Sequence, residues 1–523
     1  MRLAPSLALL GACLVAVPVA APCLFAPPAL AQQAGGGGAG GDEHAGGPDH
    51  PQRSGGSERS GGLLDLLPAD AVSAHVLETP TGPLPYSATA GTLALRGQDG
   101  KVTAKIFYTA YRAKDRTPGR PVTFAFNGGP GAASAYLHLG LVGPKILPFS
   151  GDNADGSRPV LRDNPESWLA FSDLVLIDPV GTGWSRALSD EAAGRFYSVR
   201  QDAESLAKAI ALYVRDNADL LPAPKYLLGE SYGGFRAAKV ALAMKNSQGL
   251  IPSGIVMISP LMEGRFVFGN DNDPLAAALQ FPALAAAELE RQGRFDREKV
   301  GEAERFAMTD YLATLAGPWP QGEAAAAFYR TIAGWTGLSE QAIAPTRGFV
   351  GDLYAKQAGG PGRILSPYDA GETHVDAYPE SVFVRNDDPV LEGYTRAYAA
   401  AFSAYARDSL GFRTEMTYTL LNEEVNRRWE WNGGRGGDSR VTASIATDLR
   451  DLLSTIPSFR LMVAHGYSDI LTPFGASRYV LNHLPPTLGE GRTQLNLYRG
   501  GHMFYTRDDD RRQIFQDAQA FYR

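Results

Sequence analysis

The sequence predicts an α/β fold: a mostly parallel central sheet flanked by helices, with a mainly helical lid inserted between two of its strands. Three observations carry that expectation. Short apolar runs alternate with helical patterns, the rhythm of a sheet covered on both faces. Hydrophobic residues make up 44% of the 523, enough for a large core. From about 262 to 445 an Ala-rich stretch of helical pattern breaks the rhythm, which marks it as the insertion.

The elements follow in chain order. Met1–Arg2 gives a short positive start, an apolar run extends from Leu3 to Leu30, and Ala29-Leu30-Ala31 supplies small residues for cleavage before Gln32. Residues 1–31 therefore read as a signal peptide. An uncleaved anchor is the rival, but Pro18, Pro22, Pro27 and Pro28 make a poor spanning helix. Cys13 leaves a lipoprotein variant open. Both cysteines, Cys13 and Cys23, fall in this segment, so the processed chain has no disulfide and depends on its core. Residues 32–62 contain no large apolar residue and many glycines, the composition of a flexible tail. The folded part begins at 63, with core segments 63–261 and 446–523 on either side of the lid at 262–445.

Within the core, VTAKIFYTAY (102–111) reads as a strand, and PVTFAFNGGPG (121–131) as a strand entering a glycine-rich loop. DLVLIDPVGTGWS (173–185) repeats the strand-to-loop form. Residues 201–216 have helical spacing. KYLL (225–228) reads as a buried strand, and GIVMISP (254–260), FRLMVAHG (459–466) and TQLNLY (493–498) as further strands.

The stretch LLGESYGGF places Ser231 in a G-x-S-x-G pattern between KYLL and a helical run. Such a strand–turn–helix elbow exposes a serine beyond the carboxyl end of a sheet strand, where ligands bind in α/β proteins. A serine hydroxyl is a weak nucleophile and needs a base, itself oriented by an acid, in the chain order Ser, Asp or Glu, His. Four histidines follow Ser231: His374, His465, His483 and His502. His374 falls in the lid, and His465 ends a strand. His483 sits in a helical stretch, while His502 lies on a glycine-containing loop after the last strand. His502 is the preferred base, and Asp469 in AHGYSDILTP the preferred acid; the competing role for Asp469 is a helix cap. The oxyanion hole would combine the Tyr232 N–H with one from NGGPG (127–131). Pro130 has no N–H, so Gly128 or Gly129 must donate.

Taken together, FNGGPGAAS, IDPVGTGWS, LLGESYGG, HGYSDILTP and GGHM resemble, in order, the signatures of the serine carboxypeptidase family, a branch of the α/β-hydrolases. The resemblance covers roughly 100–260 and 440–510, with a weaker echo at 418–432. It implies a peptide hydrolase acting through Ser231, His502 and Asp469. It also implies an oxyanion hole of Gly129 and Tyr232, and a site for the substrate's C-terminal carboxylate built from Asn127, Gly128 and Glu230. Glu230 donates only when protonated, which would pull activity toward acid pH. Two positions depart from the family. Ala125 stands where a tryptophan is usual, and Leu141 where a glutamate supports the carboxylate site.

Peptides with a free C-terminus are the partners this implies. An esterase or acyltransferase on the same triad is the alternative, and a non-catalytic binding protein the third reading. The net charge of −7 and the lack of a basic block argue against nucleic acid. Nothing resembles the spacing H-E-x-x-H, so neither a metal nor another cofactor is expected. Signal cleavage would leave no membrane span and an exported protein, periplasmic or secreted. Trp429 and Trp431 are expected to pack in the core rather than line a pocket, and Asp178 to stabilise a turn.

Overall fold

The computed structural model describes residues 62–523, apart from 115–116, 118, 150–154, 271, 386 and 432–439. The expected signal peptide and nearly all of the glycine-rich tail lie outside the described residues.

Nine strands form the main sheet: β1 (Ala71–Thr79), β2 (Gly82–Arg96), β3 (Val102–Ala113), β4 (Val122–Phe126), β5 (Asp173–Ile177), β6 (Lys225–Glu230), β7 (Gly254–Ile258), β8 (Arg460–Gly466) and β9 (Thr493–Tyr498). Their order across the sheet is β1-β2-β3-β5-β4-β6-β7-β8-β9, and a two-residue strand, Arg186–Ala187, joins the edge of β3. The run from β5 to β9 is parallel, whereas β1, β2 and β3 pair antiparallel with one another and β3 with β5. The mostly parallel sheet of the α/β-hydrolase class is therefore present.

Successive side chains of a strand point to opposite faces, and here each face has its own core. Phe124, Phe126, Ile255, Met257, Leu461 and Val463 enter one cluster with α1 (Val199–Asp216) and α2 (Tyr232–Ala243). Ala125, Val256, Ile258, Met462 and Ala464 enter the other. That second face is covered by residues 135–142 and by two helices introduced below. Burial on both faces is why these strands read as continuous apolar runs.

Between β7 and β8 the chain is mainly helical. It includes α3 (Pro274–Arg291) and α4 (Pro389–Asp408), each started by an aspartate accepting from first-turn N–H groups, with proline at the first helical position. Residues 262–445 do not form one body. Helix α3 and the helices at Arg297–Phe306 and Gly322–Thr336 share a core of their own with Tyr467, Ile470 and Phe474. Helix α4 instead packs its Phe402 and Tyr405 onto the second face of the sheet, against His138. Three longer helices follow: α5 (Ala446–Thr455), α6 (Phe474–Asn482) and α7 (Asp508–Phe521), the last joining the same second-face core as α4.

Candidate active site

Ser231 lies at the junction of β6 and α2 with φ 61° and ψ −127°, in a region L-residues rarely occupy. Its N–H donates to the Ile258 carbonyl at 2.9 Å, which ties the turn to the end of β7. The flanking glycine is a steric requirement: a Cβ on Gly229 would run into the Gly233 carbonyl. A strained turn held on both sides is the geometry that lifts a serine hydroxyl out of the sheet.

The loops after β8 and β9 bring up the other two residues. His502 Nδ1 lies 2.8 Å from Asp469 Oδ2, and both side chains are buried. Asp469 Oδ1 also accepts from the N–H groups of Leu471 and Thr472, both at 3.0 Å. One carboxylate thus stabilises a turn and orients an imidazole. It does not cap α6, which begins after Pro473. Thr472 Oγ1 adds a bond to Asp469 Oδ2 at 2.9 Å and lies 3.1 Å from His502 Nδ1. Burial disfavours the imidazolium, but the Asp469 charge and hydrogen bond outweigh it and hold His502 above its usual range.

The other histidines go elsewhere. His465 is buried with Nε2 2.8 Å from Ser477 Oγ, and burial pushes its pKa down to about 4. His483 stacks on Tyr479 at the exposed end of α6. His374 lies on a short strand of the insertion.

Ser231 and His502 line a cavity of about 190 Å³ together with Asn127, Gly128, Gly129, Glu230 and Tyr232. The 127–129 loop lies directly on the start of α2, since a Cβ on Gly128 would sit 2.7 Å from the Tyr232 nitrogen. Buried Arg236 on α2 fixes this loop. Its guanidinium donates to the Asn127 carbonyl, and its Nε bonds Asp202 of α1 at 2.6 Å. Asn127 Nδ2 donates to Glu230 Oε2 at 2.6 Å, and Asn127 Oδ1 accepts from the Leu137 N–H at 3.1 Å. Tyr505 donates to the same carboxylate, 3.0 and 2.9 Å from its two oxygens. Burial pushes Glu230 up to about 7, against the pull of His502, Tyr505 and Asn127.

The remaining walls are apolar: Leu261, Val267, Phe268, Leu391, Leu421, Leu471 and Met503, with Tyr136 and Tyr368. Trp429 and Trp431 stand behind Tyr232, with ring centroids 5.5 and 5.3 Å from it. Asp178 accepts from the Ser134 N–H and hydroxyl at 2.8 and 2.7 Å, which braces the turn after β5 against the start of the 135–142 helix.

A segment of the insertion grips both loops that carry Asp469 and His502. The Pro367 carbonyl accepts from Ile470 and Leu471, the Tyr368 carbonyl accepts from the His502 N–H at 2.5 Å, and the Ala370 N–H donates to Ser468. Glu290 of α3 pairs with Arg499 and Arg507 on either side of His502, at 2.7 and 2.9 Å.

Sequence reasoning placed eight residues here: Ser231, Asp469, His502, Gly129, Tyr232, Asn127, Gly128 and Glu230. It missed Tyr505, Thr472, Arg236 and Tyr368. Tyr505 and Thr472 follow His502 and Asp469 by three residues, and no spacing rule announces a partner at that offset. Arg236 carried a weak signal, a charge inside an otherwise apolar helix start. Among the described residues, no group of three or more His, Cys, Asp or Glu could hold a metal ion.

Comparison with known proteins adds a family. Residues 80–250 match the family model described as serine carboxypeptidase. A serine carboxypeptidase-like protein of Arabidopsis thaliana is 33% identical over 154 residues, 27% of this chain and 28% of that protein. The vitellogenic carboxypeptidase of Aedes aegypti is 31% identical over 153 residues, 29% of this chain and 30% of that protein. The chain thus matches less than a third of the length of these relatives. A prohormone-processing carboxypeptidase from Saccharomyces cerevisiae shares the fold over 88% of this chain and 94% of its own, with a TM-score of 0.53 and 16% identity.

Proposed function

Residues 80–250 match the serine carboxypeptidase family, and from that premise we propose that this chain releases C-terminal residues from peptides through an acyl-enzyme. Ser231 Oγ attacks the carbonyl carbon of the last peptide bond while His502 takes its proton. The oxyanion is held by the N–H groups of Gly129 and Tyr232. The C–N bond then breaks, His502 passes the proton to the leaving amine, and a water activated by His502 releases the acyl group from Ser231. Asp469 orients His502 and stabilises the imidazolium. At the other end of the cavity, Asn127, the Gly128 N–H and protonated Glu230 take the terminal carboxylate.

The observation that carries this reading is the pairing of Glu230 with Asn127 in the cavity that also holds Ser231 and His502. A carboxyl with a pKa of about 7 is protonated in much of the protein at neutral pH, so it can donate to a carboxylate. The test compares an N-blocked dipeptide with its C-terminal amide from pH 4 to 8. Free acid should be preferred, most strongly at low pH. Equal rates at every pH would leave an esterase or acyltransferase on the same triad.

Residues 1–31 are proposed to direct export and to be removed, which the N-terminal mass of the secreted or periplasmic protein would check. No helix among the described residues is long and apolar enough to cross a membrane.

A further inference from the structure

Glu230 needs a partner that its family context does not supply here. Leu141 stands where the family usually carries the supporting glutamate, and it is fully buried in the apolar core on the second face. The place beside Glu230 is taken from a different part of the chain. Tyr505, three residues after His502, sends its hydroxyl to within 3.0 and 2.9 Å of the two carboxylate oxygens.

The surroundings are built around that tyrosine. It is fully buried, and a Cβ on Gly140 would lie 2.6 Å from a carbon of its ring and 2.7 Å from the Tyr398 hydroxyl. Only glycine at 140 lets the ring reach Glu230, so the residue beside the lost glutamate makes room for its replacement. Arg511 Nη1 of α7 lies 3.4 Å from the Tyr505 carbonyl.

We propose that Tyr505 is a positioning residue for the substrate-carboxylate site, standing in for the absent second acid and leaving Glu230 as the sole carrier of the proton offered to the substrate. The inference rests on the carboxypeptidase reading above.

The chemistry of the exchange is specific. Two carboxyls facing each other share one proton, and either can hold it. A phenol so deeply buried stays neutral, because burial and the adjacent Glu230 push its pKa well above the ordinary value. Tyr505 therefore always donates and never takes the Glu230 proton. Its bond favours ionised Glu230 and offsets part of the burial that favours the acid. The other groups acting on this carboxyl or close to it are His502, Asp469, Tyr136, Tyr368 and Tyr398, with the Arg236 guanidinium under the Asn127 loop. Of these, His502 would also limit turnover at low pH. A ratio of two substrates that both need His502 removes that dependence.

The experiment measures kcat/KM for a free-acid peptide divided by kcat/KM for its C-terminal amide, from pH 4 to 9, in the full chain. In the wild type this ratio should fall as Glu230 loses its proton. In Tyr505→Phe, which keeps the ring and removes the donor, the midpoint should move up by about one pH unit. The rate on the amide should change less than about threefold, and thermal melts would establish that the variant is folded. Replacing Tyr505 with 3-fluorotyrosine, whose hydroxyl is a stronger donor, should move the midpoint down, and this variant tests the proposal even where the phenylalanine variant folds poorly. A midpoint that stays put in both variants, or rates on both substrates that fall together, would overturn the role of Tyr505. A wild-type ratio of one at every pH would instead remove the carboxypeptidase reading itself, and this inference with it.

Discussion

At the residue scale, Ser231 and Glu230 are neighbours with opposite demands. Ser231 is partly open to the cavity and tolerates its strained backbone because the turn is clamped to β7. Ser231→Ala should abolish turnover, by at least about 10⁴-fold, while leaving the thermal midpoint unchanged, since the methyl fits where the methylene was. Glu230 has a stability signature as well. Its folded pKa of about 7 lies above the ordinary carboxyl value of 4.5, so the stability linked to its proton is complete below pH 4.5 and is lost as pH rises through 7. Glu230→Gln removes that loss. Its stability relative to wild type should improve by about 3 kcal/mol between pH 4 and pH 8, on the order set by the shift. Urea unfolding at the two pH values would measure it, and an unchanged difference would mean that folding does not raise the Glu230 pKa.

At the element scale, the loop after β4 is held by a helix rather than by itself. Arg236 links α2 to the Asn127 carbonyl and to Asp202 of α1, all in the interior. Arg236→Met should leave Asp202 buried without its partner and cost about 3–5 kcal/mol. It should also lower activity on acid and amide substrates alike, because the loop proposed to form the oxyanion hole loses its anchor. Equal denaturation midpoints for variant and wild type would contradict this.

Elements also show what a single sequence can reveal. The inner parallel strands were legible because each is buried on both faces, and at the half-exposed edge TQLNLY still matches β9 residue for residue. The hairpin β1–β2 was not: Pro83 and Pro85 sit inside β2, and its burial alternates with many half-exposed positions. Asp469 and His502 could be read from chain order, because the fold fixes which loops face Ser231. Tyr505 could not, because its partner is chosen by packing across the sheet, where Gly140 leaves the space.

At the scale of the whole molecule, the cavity draws its walls from core and insertion together. Leu261, Leu471 and Met503 come from around the sheet, whereas Val267, Phe268, Tyr368, Leu391 and Leu421 come from residues 262–445. Apart from Glu230 and His502, no side chain in this lining carries a charge near neutral pH. Burying an unpaired charge there would cost far more than burying a methylene gains. Peptides ending in Leu or Phe should therefore surpass those ending in Lys or Asp by at least about tenfold in kcat/KM. A preference for a basic C-terminal residue would show that another carboxylate reaches the bound peptide.

The hold that residues 366–371 have on the loops of Asp469 and His502 limits how this protein could be redesigned. The stretch between β7 and β8 looks like a cassette, something to be traded wholesale for a new specificity. Yet Pro367, Tyr368 and Ala370 are splints for the two loops that would carry proton transfer. A transplanted insertion would bring new walls and take away the frame. Retargeting should proceed by single wall positions such as Phe268 or Leu421, with the 366–371 splint left in place.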